Sequence, residues 1–449
     1  MRARSRPRHQ GRLFQGDLLE QINPKDPLIL LCQAIPWEVL EKEFAPLYAE
    51  IGRPAKEIRL MCGLLILKQL ENLSDEGLLT SWVRNPYFQA FCGETTFQWK
   101  KPCVSSDISH FRRRIGEEGA EKIFGLSVKL HGAKAVEKEV LFDTTVQEQN
   151  ITFPTDSKLR AKVIGRCWKL AEKHGIRLRR SYRREVKVLV RGINFTRGVK
   201  RNQIVNKYGR RLKTVAGALV RELRRKLPVT VLKEYEEQFS RFERVVNQSR
   251  KDKDKIYSLH QPQVLCIAKG KAHKKYEFGS KVSLGVTKKS GIIVAAKNFD
   301  KNLYDGDTLE DTIKQMERVL NYKPELGICD KGFRGRKVVE GVKILTPENQ
   351  GKRISEAERK KNRKRNFRRS AIEPIIGHVK NDFRMARNFL KHTLGDAINA
   401  IMAAAAFNFK KWMRTVGVYF RLVIFRLLSL LGSLKPTAAF VKICKFGTF

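Results

Sequence analysis

The chain has 449 residues, 42% of them hydrophobic, so it is long enough for two or three domains and can bury a substantial core. Lysine and arginine number 91 against 46 acidic residues, and the net charge of +45 far exceeds the charge of about 2 to 8 that keeps a small domain soluble. This composition excludes a disordered chain and predicts a polyanionic partner, with nucleic acid favoured over membrane lipid or the ribosome.

The first 135 residues predict a basic arm followed by a helical domain. The arm, residues 1–26, has no apolar run of the kind that makes a signal peptide. Over residues 27–135 apolar side chains recur at helical spacing, and Ser74 or Asp75 is suited to cap one of the helices. We interpret this domain as DNA-binding, because its last helix carries three consecutive arginines, Arg112, Arg113 and Arg114.

A predicted strand with a carboxylate at its centre follows this domain. The run from Val140 to Val146 is apolar and β-branched, and charged or polar residues bound it on both sides. Asp143 lies in its middle, where an ionised carboxylate needs a metal, a hydrogen-bond network or exposure at the sheet edge. The alternative is that Asp143 and Thr144 begin a turn, and this segment alone leaves both interpretations open.

A strongly basic helical insertion is predicted next, over about residues 157–256. From Lys158 to Lys226 the chain has 24 lysine and arginine residues against three acidic ones, and strand signals are almost absent. A β-hairpin is predicted after the insertion, with strands from Tyr276 to Thr287 and from Gly291 to Asn298.

Helices and strands alternate in the prediction from the hairpin to residue 346. The predicted elements are a helix from Asp307 to Leu320, a buried strand from Glu325 to Asp330, a short helix from Arg336 to Gly341 and a strand from Lys343 to Thr346. With the strand at Asp143 and the hairpin, this order predicts an α/β fold over residues 136–412. Its core is a ribonuclease H-like mixed sheet flanked by helices, with the large insertion inside it and the all-helical domain before it.

Asp330 is a second candidate carboxylate. It ends a predicted strand, and a flexible basic loop that contains Arg334 follows it. Ligands bind at the carboxyl ends of strands in open α/β sheets, but a turn or N-cap aspartate is an equal alternative. The nearby Asp305 and Asp307 are interpreted as a turn and a helix cap, and a supporting role near the site is the alternative.

The segment around Glu373 is the most informative part of the chain. On a continuous helix, Arg369, Glu373 and Lys380 would share one face, which places a carboxylate between two cations that can hold a phosphate chain. The alternative is a capping box from Ser370 to Glu373, which would leave Arg369 outside the helix. Pro374, which is comfortable in a first helical turn, favours that alternative.

Two features flank this segment. A low-complexity basic loop over residues 352–369 contains Lys364 and Arg365, which are candidate DNA contacts. His378 lies one turn beyond Glu373, where it is a candidate to contact a phosphate or to orient a metal-bound water.

The last part of the chain predicts a helix from Leu394 to Met413 and then a tail, residues 413–449, of unknown role. Arg421 and Arg426 interrupt the most apolar stretch, so a packed or partner-facing helix is favoured over a membrane-spanning or interfacial one. The eight cysteines form no CxxC pair, which predicts reduced thiols and no structural zinc. We therefore expect a cytoplasmic, nucleoid-associated protein.

At its candidate site residues the chain resembles the DDE transposases of bacterial insertion sequences, over about residues 25 to 412. Arg369, Glu373 and Lys380 have the spacing of the Y-x2-R-x3-E-x6-K signature that marks one large group of these enzymes. The triplet Asp143-Thr144-Thr145 is similar to the first aspartate motif, and Asp330-Lys331-Gly332-Phe333 to the D-x-G-[YF] motif. Asn366 stands where the signature has tyrosine.

The resemblance implies that Asp143, Asp330 and Glu373 are the catalytic residues and bind Mg²⁺ or Mn²⁺, with two ions expected. Such an enzyme hydrolyses the transposon ends and joins the 3′-hydroxyls to target DNA. The partners implied are double-stranded DNA, both inverted repeats and target, and a second copy of the chain in a homodimer on DNA. The DNA contacts expected are Arg369, Lys380, Arg334, Arg112, Arg113, Arg114, Lys364 and Arg365.

Two alternatives remain open from the sequence. One is a catalytically inactive DNA-binding derivative that acts as a repressor or regulator. The other is a metal-dependent nuclease that cuts DNA without joining the ends to a target.

Overall fold

The computed structural model describes residues 16–51, 54–249, 252–268, 275–347, 355–357, 359–360 and 369–430, with side chains up to residue 417. The protein has a mixed α/β structure, as the sequence predicts. It divides into two compact units. The first is drawn from residues up to 147 and from 281 onward, and the second is residues 148–280.

Helices account for the first unit up to residue 135. Of the two expected caps, Ser74 caps α5, because its hydroxyl accepts a hydrogen bond from the Gly77 amide at 3.0 Å. Gly116 breaks the helical geometry inside α7, with φ 65° and ψ −164°, which is a conformation open to glycine. The helices are α1 Leu18–Gln21, α2 Pro27–Ala34, α3 Trp37–Phe44, α4 Ile58–Leu70, α5 Asp75–Arg84, α6 Pro86–Phe91 and α7 Ser105–Lys129.

The second unit is a helical bundle with its own apolar core, which includes Val163, Leu219 and Phe239. Two of its helices cross tightly at Gly192, since a Cβ there would lie only 2.2 Å from the Tyr208 ring. The helices are α8 Asp156–Lys173, α9 Arg183–Phe195, α10 Arg201–Lys226, α11 Val229–Glu234 and α12 Glu236–Asn247. A short strand, β2, and the beginning of β3 complete the unit.

Eight strands within the described ranges form one sheet. They are β1 Glu139–Gln149, β2 Leu265–Ala268, β3 Tyr276–Thr287, β4 Ile293–Phe299, β5 Leu326–Ile328, β6 Val338–Val339, β7 Val342–Leu345 and β8 Arg387–Asn388. Their order is β2-β3-β1-β5-β7-β6, with β4 paired to β3 and β8 paired to β1. Strand β1 is parallel to β5, and β5 is parallel to β7, while β3 and β4 form the predicted antiparallel hairpin.

The prediction of a short helix from Arg336 to Gly341 is wrong. Val338–Val339 forms β6 instead, and it pairs antiparallel with Val342 and Lys343 of β7. The two residues between the strands, Glu340 and Gly341, have φ of 50° and 80°. Two positive φ values in succession make a tight hairpin turn whose twist matches the flanking strands, and the β-branched valines favour extended backbone on either side.

The remaining helices of the first unit are α13 Leu309–Leu320, α14 Ile372–Asn381 and α15 His392–Leu430. Helix α15 begins close to the predicted position and extends well past Met413. Within the part of the chain that the structure describes, no helix is sufficiently long and apolar to cross a lipid bilayer.

The N-terminal helices and the sheet share one hydrophobic core, so the expected boundary near residue 135 does not separate two compact units. Helix α15 connects the two parts. Its Asn408 amide donates to the Ile293 carbonyl at 2.8 Å and accepts from the Ile293 amide at 3.0 Å. Its Asn399 accepts a hydrogen bond from Gln69 of α4 and donates one to Gln147 of β1.

Candidate active site

Asp143 on β1 lies at the same level as Asp330, which follows β5, the parallel neighbour of β1. Leu141 of β1 is aligned with Ile328 of β5, and each aspartate comes two residues later. The pKa of the Cys329 thiol is raised, most strongly by burial and further by the nearby carboxylates of Asp330 and Asp143. The two carboxylates therefore both lie near the Cys329 thiol.

The structure decides between the alternatives for Asp143 and Asp330. Strand β1 continues through Asp143 to Gln149, so the interpretation of Asp143 as the start of a turn is wrong. Asp330 does act as a cap, because its Oδ1 accepts a hydrogen bond from the Gly332 amide at 2.6 Å. It also lies two residues beyond the end of β5, so the capping contact and the position after the strand are both present.

Asp305 belongs to the same region, in agreement with the alternative that the sequence left open beside a turn and a cap. Its Oδ1 accepts a hydrogen bond from the Thr144 hydroxyl at 2.8 Å and pairs with the Lys281 ammonium at 2.9 Å. The Lys281 side chain is only 7% exposed. Lys281 in the middle of the apolar strand β3 was the sequence signal for a buried carboxylate partner. A buried ammonium, like the carboxylate of Asp143, is costly to desolvate unless it is paired.

Glu373 lies in the first turn of α14, whose N-cap is Ala371 and not Ser370. The capping box predicted from Ser370 is therefore misplaced, and it is the Ser370 carbonyl that accepts a hydrogen bond from the Glu373 amide, at 3.2 Å. Arg369 precedes the helix, yet its guanidinium lies 3.7 Å from Glu373 Oε1. The Glu373 side chain is 62% exposed.

Two buried residues anchor α14, namely Ile372 and Val379. Lys380, in its last turn, is half-buried, and its carbonyl accepts a hydrogen bond from the Ala386 amide at 2.9 Å. His378 is exposed and its Nδ1 lies 2.7 Å from Asp382 Oδ2, so its contact is with the following turn and not with Glu373.

The oxygen donors of this region suit a hard divalent cation. Burial raises the pKa of the Cys329 thiol, so the candidate ligands beside it are the oxygen atoms of Asp143 and Asp330. Magnesium typically takes one or two protein carboxylates and completes its shell with water and substrate phosphates. Over the described residues, no three acidic, histidine or cysteine side chains gather closely enough to hold one ion, and Glu373 does not join the two aspartates in this conformation.

Arg112 occupies a structural position, so its expected contact with DNA is corrected. Its guanidinium makes two hydrogen bonds to Asp75, at 2.9 and 2.6 Å, and its side chain is 7% exposed. Lys68 pairs with the same carboxylate at 2.9 Å. Burial alone would raise the pKa of Asp75, but Arg112 and Lys68 outweigh it and lower the pKa to about 2.

The other candidate DNA contacts are exposed or lie outside the described residues. Arg113 and Arg114 are exposed, with the Arg114 guanidinium 4.3 Å from the centre of the Tyr48 ring. Arg334 is exposed in the loop after Asp330. Lys364 and Arg365 fall outside the described residues, as does Asn366.

Comparison with known proteins gives two family matches. Residues 16–114 match the transposase domain DUF772, and residues 247–409 match the transposase DDE domain. The second range contains Asp305, Asp330 and Glu373, whereas Asp143 lies in neither range.

A Rhizobium meliloti protein described as uncharacterized protein ORF8 in the nfe locus is 42% identical to this chain over 180 residues. The aligned region is 39% of this chain and 87% of that protein. No solved structure matches the chain.

Proposed function

The chain belongs to the insertion-sequence DDE transposases, and we propose that it binds the terminal inverted repeats of its element, cleaves the ends by metal-dependent phosphodiester hydrolysis and joins the 3′-hydroxyl ends to target DNA. The observation that carries this proposal is that Asp143 on β1 lies at the level of Asp330, just beyond the parallel strand β5, where both carboxylates raise the pKa of the Cys329 thiol.

Asp143 and Asp330 would hold the metal, and Glu373 would complete the set. Bound there, divalent ions would activate a water or a DNA 3′-hydroxyl and stabilise the leaving oxygen of the displacement, which is the chemistry that two Mg²⁺ or Mn²⁺ ions supply. Glu373 is exposed and only loosely paired with Arg369. In our proposal, DNA phosphate takes over Arg369 and so frees the Glu373 carboxylate to approach the two aspartates.

The strand order supports a ribonuclease H-like core for the first unit. The hairpin of β3 and β4 lies on one side of β1, and the parallel strands β5 and β7 lie on the other. That arrangement places Asp143, inside the central strand β1, at the level of Asp330, which follows the parallel strand β5, as the proposed chemistry requires. The subgroup marked by the Y-x2-R-x3-E-x6-K spacing stays part of the proposal.

The proposed DNA contacts are the cations expected from the sequence, apart from the buried Arg112. Arg113 and Arg114 on α7, Arg334 after β5 and the pair Arg369 and Lys380 around α14 would bind phosphates near the ends, as would Lys364 and Arg365. The N-terminal helices would recognise the inverted repeats, and two copies of the chain would pair the two ends.

The test is an incubation of the purified protein with DNA that carries the element's ends, in Mg²⁺ or Mn²⁺. We expect Asp143→Ala, Asp330→Ala and Glu373→Ala each to lower cleavage by at least about a hundredfold, because each removes a group that acts on the reacting phosphate, while end binding is retained. Asp307→Ala is the matched control, since this exposed aspartate is paired with Arg336.

Three outcomes contradict parts of the proposal. Unchanged cutting by one variant removes that residue from the site. Cleavage without strand-transfer products makes the protein a plain nuclease, and end binding without cleavage by the unaltered protein makes it an inactive DNA-binding derivative.

A further inference from the structure

A residue outside the predicted catalytic set connects Asp143 with Asp330. Asp305 lies in the turn before α13, and it contacts side chains or backbone on β1, on β3 and in the loop after β5. We propose that Asp305 is a positioning residue that fixes Asp143 and Asp330 for metal binding, an inference that rests on the metal-binding role proposed above for those two residues.

The first connection passes through Thr144. Its amide donates a hydrogen bond to Asp143 Oδ1 at 2.7 Å, and its hydroxyl donates one to Asp305 Oδ1 at 2.8 Å. Thr144 is only 6% exposed, so water does not compete freely for these bonds. A displacement of Asp305 would therefore release the residue whose amide holds the Asp143 carboxylate.

The second connection passes through Gly332. Its amide donates to Asp330 Oδ1 at 2.6 Å. A Cβ at Gly332 would lie 2.8 Å from Asp305 Oδ2 and 2.9 Å from Asp330 Oδ1, which is closer than real Cβ contacts allow. The two carboxylates thus flank one glycine, and the absence of a side chain there lets them approach each other.

Lys281 makes this proximity of carboxylates tolerable. Its nearly buried ammonium pairs with Asp305 and also donates to the Leu303 carbonyl at 2.5 Å. A fixed positive charge in a region of low exposure offsets the repulsion between Asp305 and Asp330. Asp305 Oδ1 is thus occupied by Lys281 and Thr144, which is the arrangement expected of a residue that orients others.

The experiment measures Mn²⁺ binding to the full-length protein without DNA, from the electron paramagnetic resonance signal of free Mn²⁺. Asp305→Ala should raise the Kd for Mn²⁺ by roughly tenfold to a hundredfold, as loss of groups that orient metal ligands does. Asp305→Asn keeps an oxygen that accepts from Thr144 and Lys281, so its Kd should stay within about threefold of the unaltered protein. Asp307→Ala, two residues away, should leave the Kd unchanged.

Thr144→Val is the second variant, and it covers the case in which Asp305→Ala does not fold. It removes the hydroxyl that reaches Asp305 while leaving all carboxylates in place, so the Kd should again rise by roughly tenfold. An unchanged Kd in Thr144→Val or in folded Asp305→Ala overturns the proposal. Equal losses in Asp305→Asn and Asp305→Ala also overturn it, because they would make Asp305 itself a ligand.

The failure of this inference is distinguishable from the failure of the proposed function. Mn²⁺ binding that depends on Asp143 and Asp305, with no cleavage of end DNA, would contradict the transposase chemistry and leave the positioning role intact. Cleavage that depends on Asp143, together with an Mn²⁺ affinity that does not change in Asp305→Ala, would contradict the positioning role and leave the transposase chemistry intact.

Discussion

Among single residues, Arg112 shows how a cation in a basic run can be structural. It is held in the first unit by Asp75, which also pairs with Lys68, and the three side chains are almost removed from solvent. Removing one partner from a buried ionic group leaves the others uncompensated.

We expect Arg112→Ala to lower the free energy of unfolding by about 3 to 5 kcal/mol, because Asp75 then loses both hydrogen bonds from the guanidinium. Urea unfolding followed by circular dichroism measures the change. Arg113→Ala is the control on the next, exposed position and should change stability by less than about 0.5 kcal/mol. Similar stability of the two variants would show that the Arg112 contact is unimportant for folding.

Asp75 also makes the free energy of unfolding depend on pH in the acid range. Its folded pKa of about 2 lies below the ordinary value of 3.8, so the unfolded chain binds the proton more readily. The stabilisation is then complete above about pH 4 and is lost as the pH falls toward 2. The difference in unfolding free energy between the native protein and Asp75→Asn should shrink over this window, and a constant difference would contradict the lowered pKa.

Glu373 is the opposite case, since its side chain is mostly exposed and its ion pair with Arg369 is long. Glu373→Ala should therefore shift the free energy of unfolding by less than about 0.5 kcal/mol. A thermal melt checks this, with Arg112→Ala as the destabilised reference. A large loss of stability would mean that lost cleavage in this variant reports unfolding and not chemistry.

At the scale of elements, the helices of the second unit depend on one close crossing. Gly192 of α9 faces the Tyr208 ring of α10 at a distance that leaves no space for a Cβ. Glycine costs a helix interior about 1 kcal/mol relative to alanine, so its presence within α9 is explained by packing and not by helix propensity.

Gly192→Ala should lower the free energy of unfolding by about 1 to 3 kcal/mol, as overpacking does. Gly165→Ala on α8 is the matched control, because nothing lies within 4 Å of the added Cβ. That control should stabilise the protein by up to about 1 kcal/mol. Thermal unfolding of both variants separates the two effects, and equal responses would refute the tight crossing.

Elements of only a few residues are decided by turn geometry. The segment from Val338 to Leu345 becomes a hairpin because Glu340 and Gly341 adopt positive φ. Its apolar residues are too few to distinguish a helical from an extended period, which explains the wrong prediction. Longer elements, such as α13 and the hairpin of β3 and β4, were predicted correctly to within a few residues.

For the whole molecule, the excess of positive charge is only slightly reduced by internal pairing in the second unit. Glu185 pairs with Arg211 and Arg180, and Glu222 with Lys226. Other cations are exposed along α9 and α10, and Lys187 and Arg191 on α9 are examples. A duplex is the partner that such a surface attracts.

The affinity for non-specific duplex DNA should fall steeply with salt, since bound phosphates release counterions. Lys187→Gln and Arg191→Gln should each reduce the slope of log K against log salt by about 1 and weaken binding to all sequences alike. Arg224→Gln is the control, because this arginine is already paired with Glu236 and Glu243. Fluorescence anisotropy at several salt concentrations gives the slopes, and equal slopes for all three variants would exclude α9 from the DNA surface.

The sequence by itself determined the charge, the order of the long elements and the two strand carboxylates, because spacing within one element is a local property. Only the tertiary structure decided that Arg112 is buried and that Asp305 stands beside Asp143 and Asp330. The hydrogen bond between Thr144 and Asp305 joins residues 161 positions apart. The register of the sheet and the packing of the loop that contains Asp305 against the sheet bring these two residues together. Neither produces a periodic pattern in the sequence.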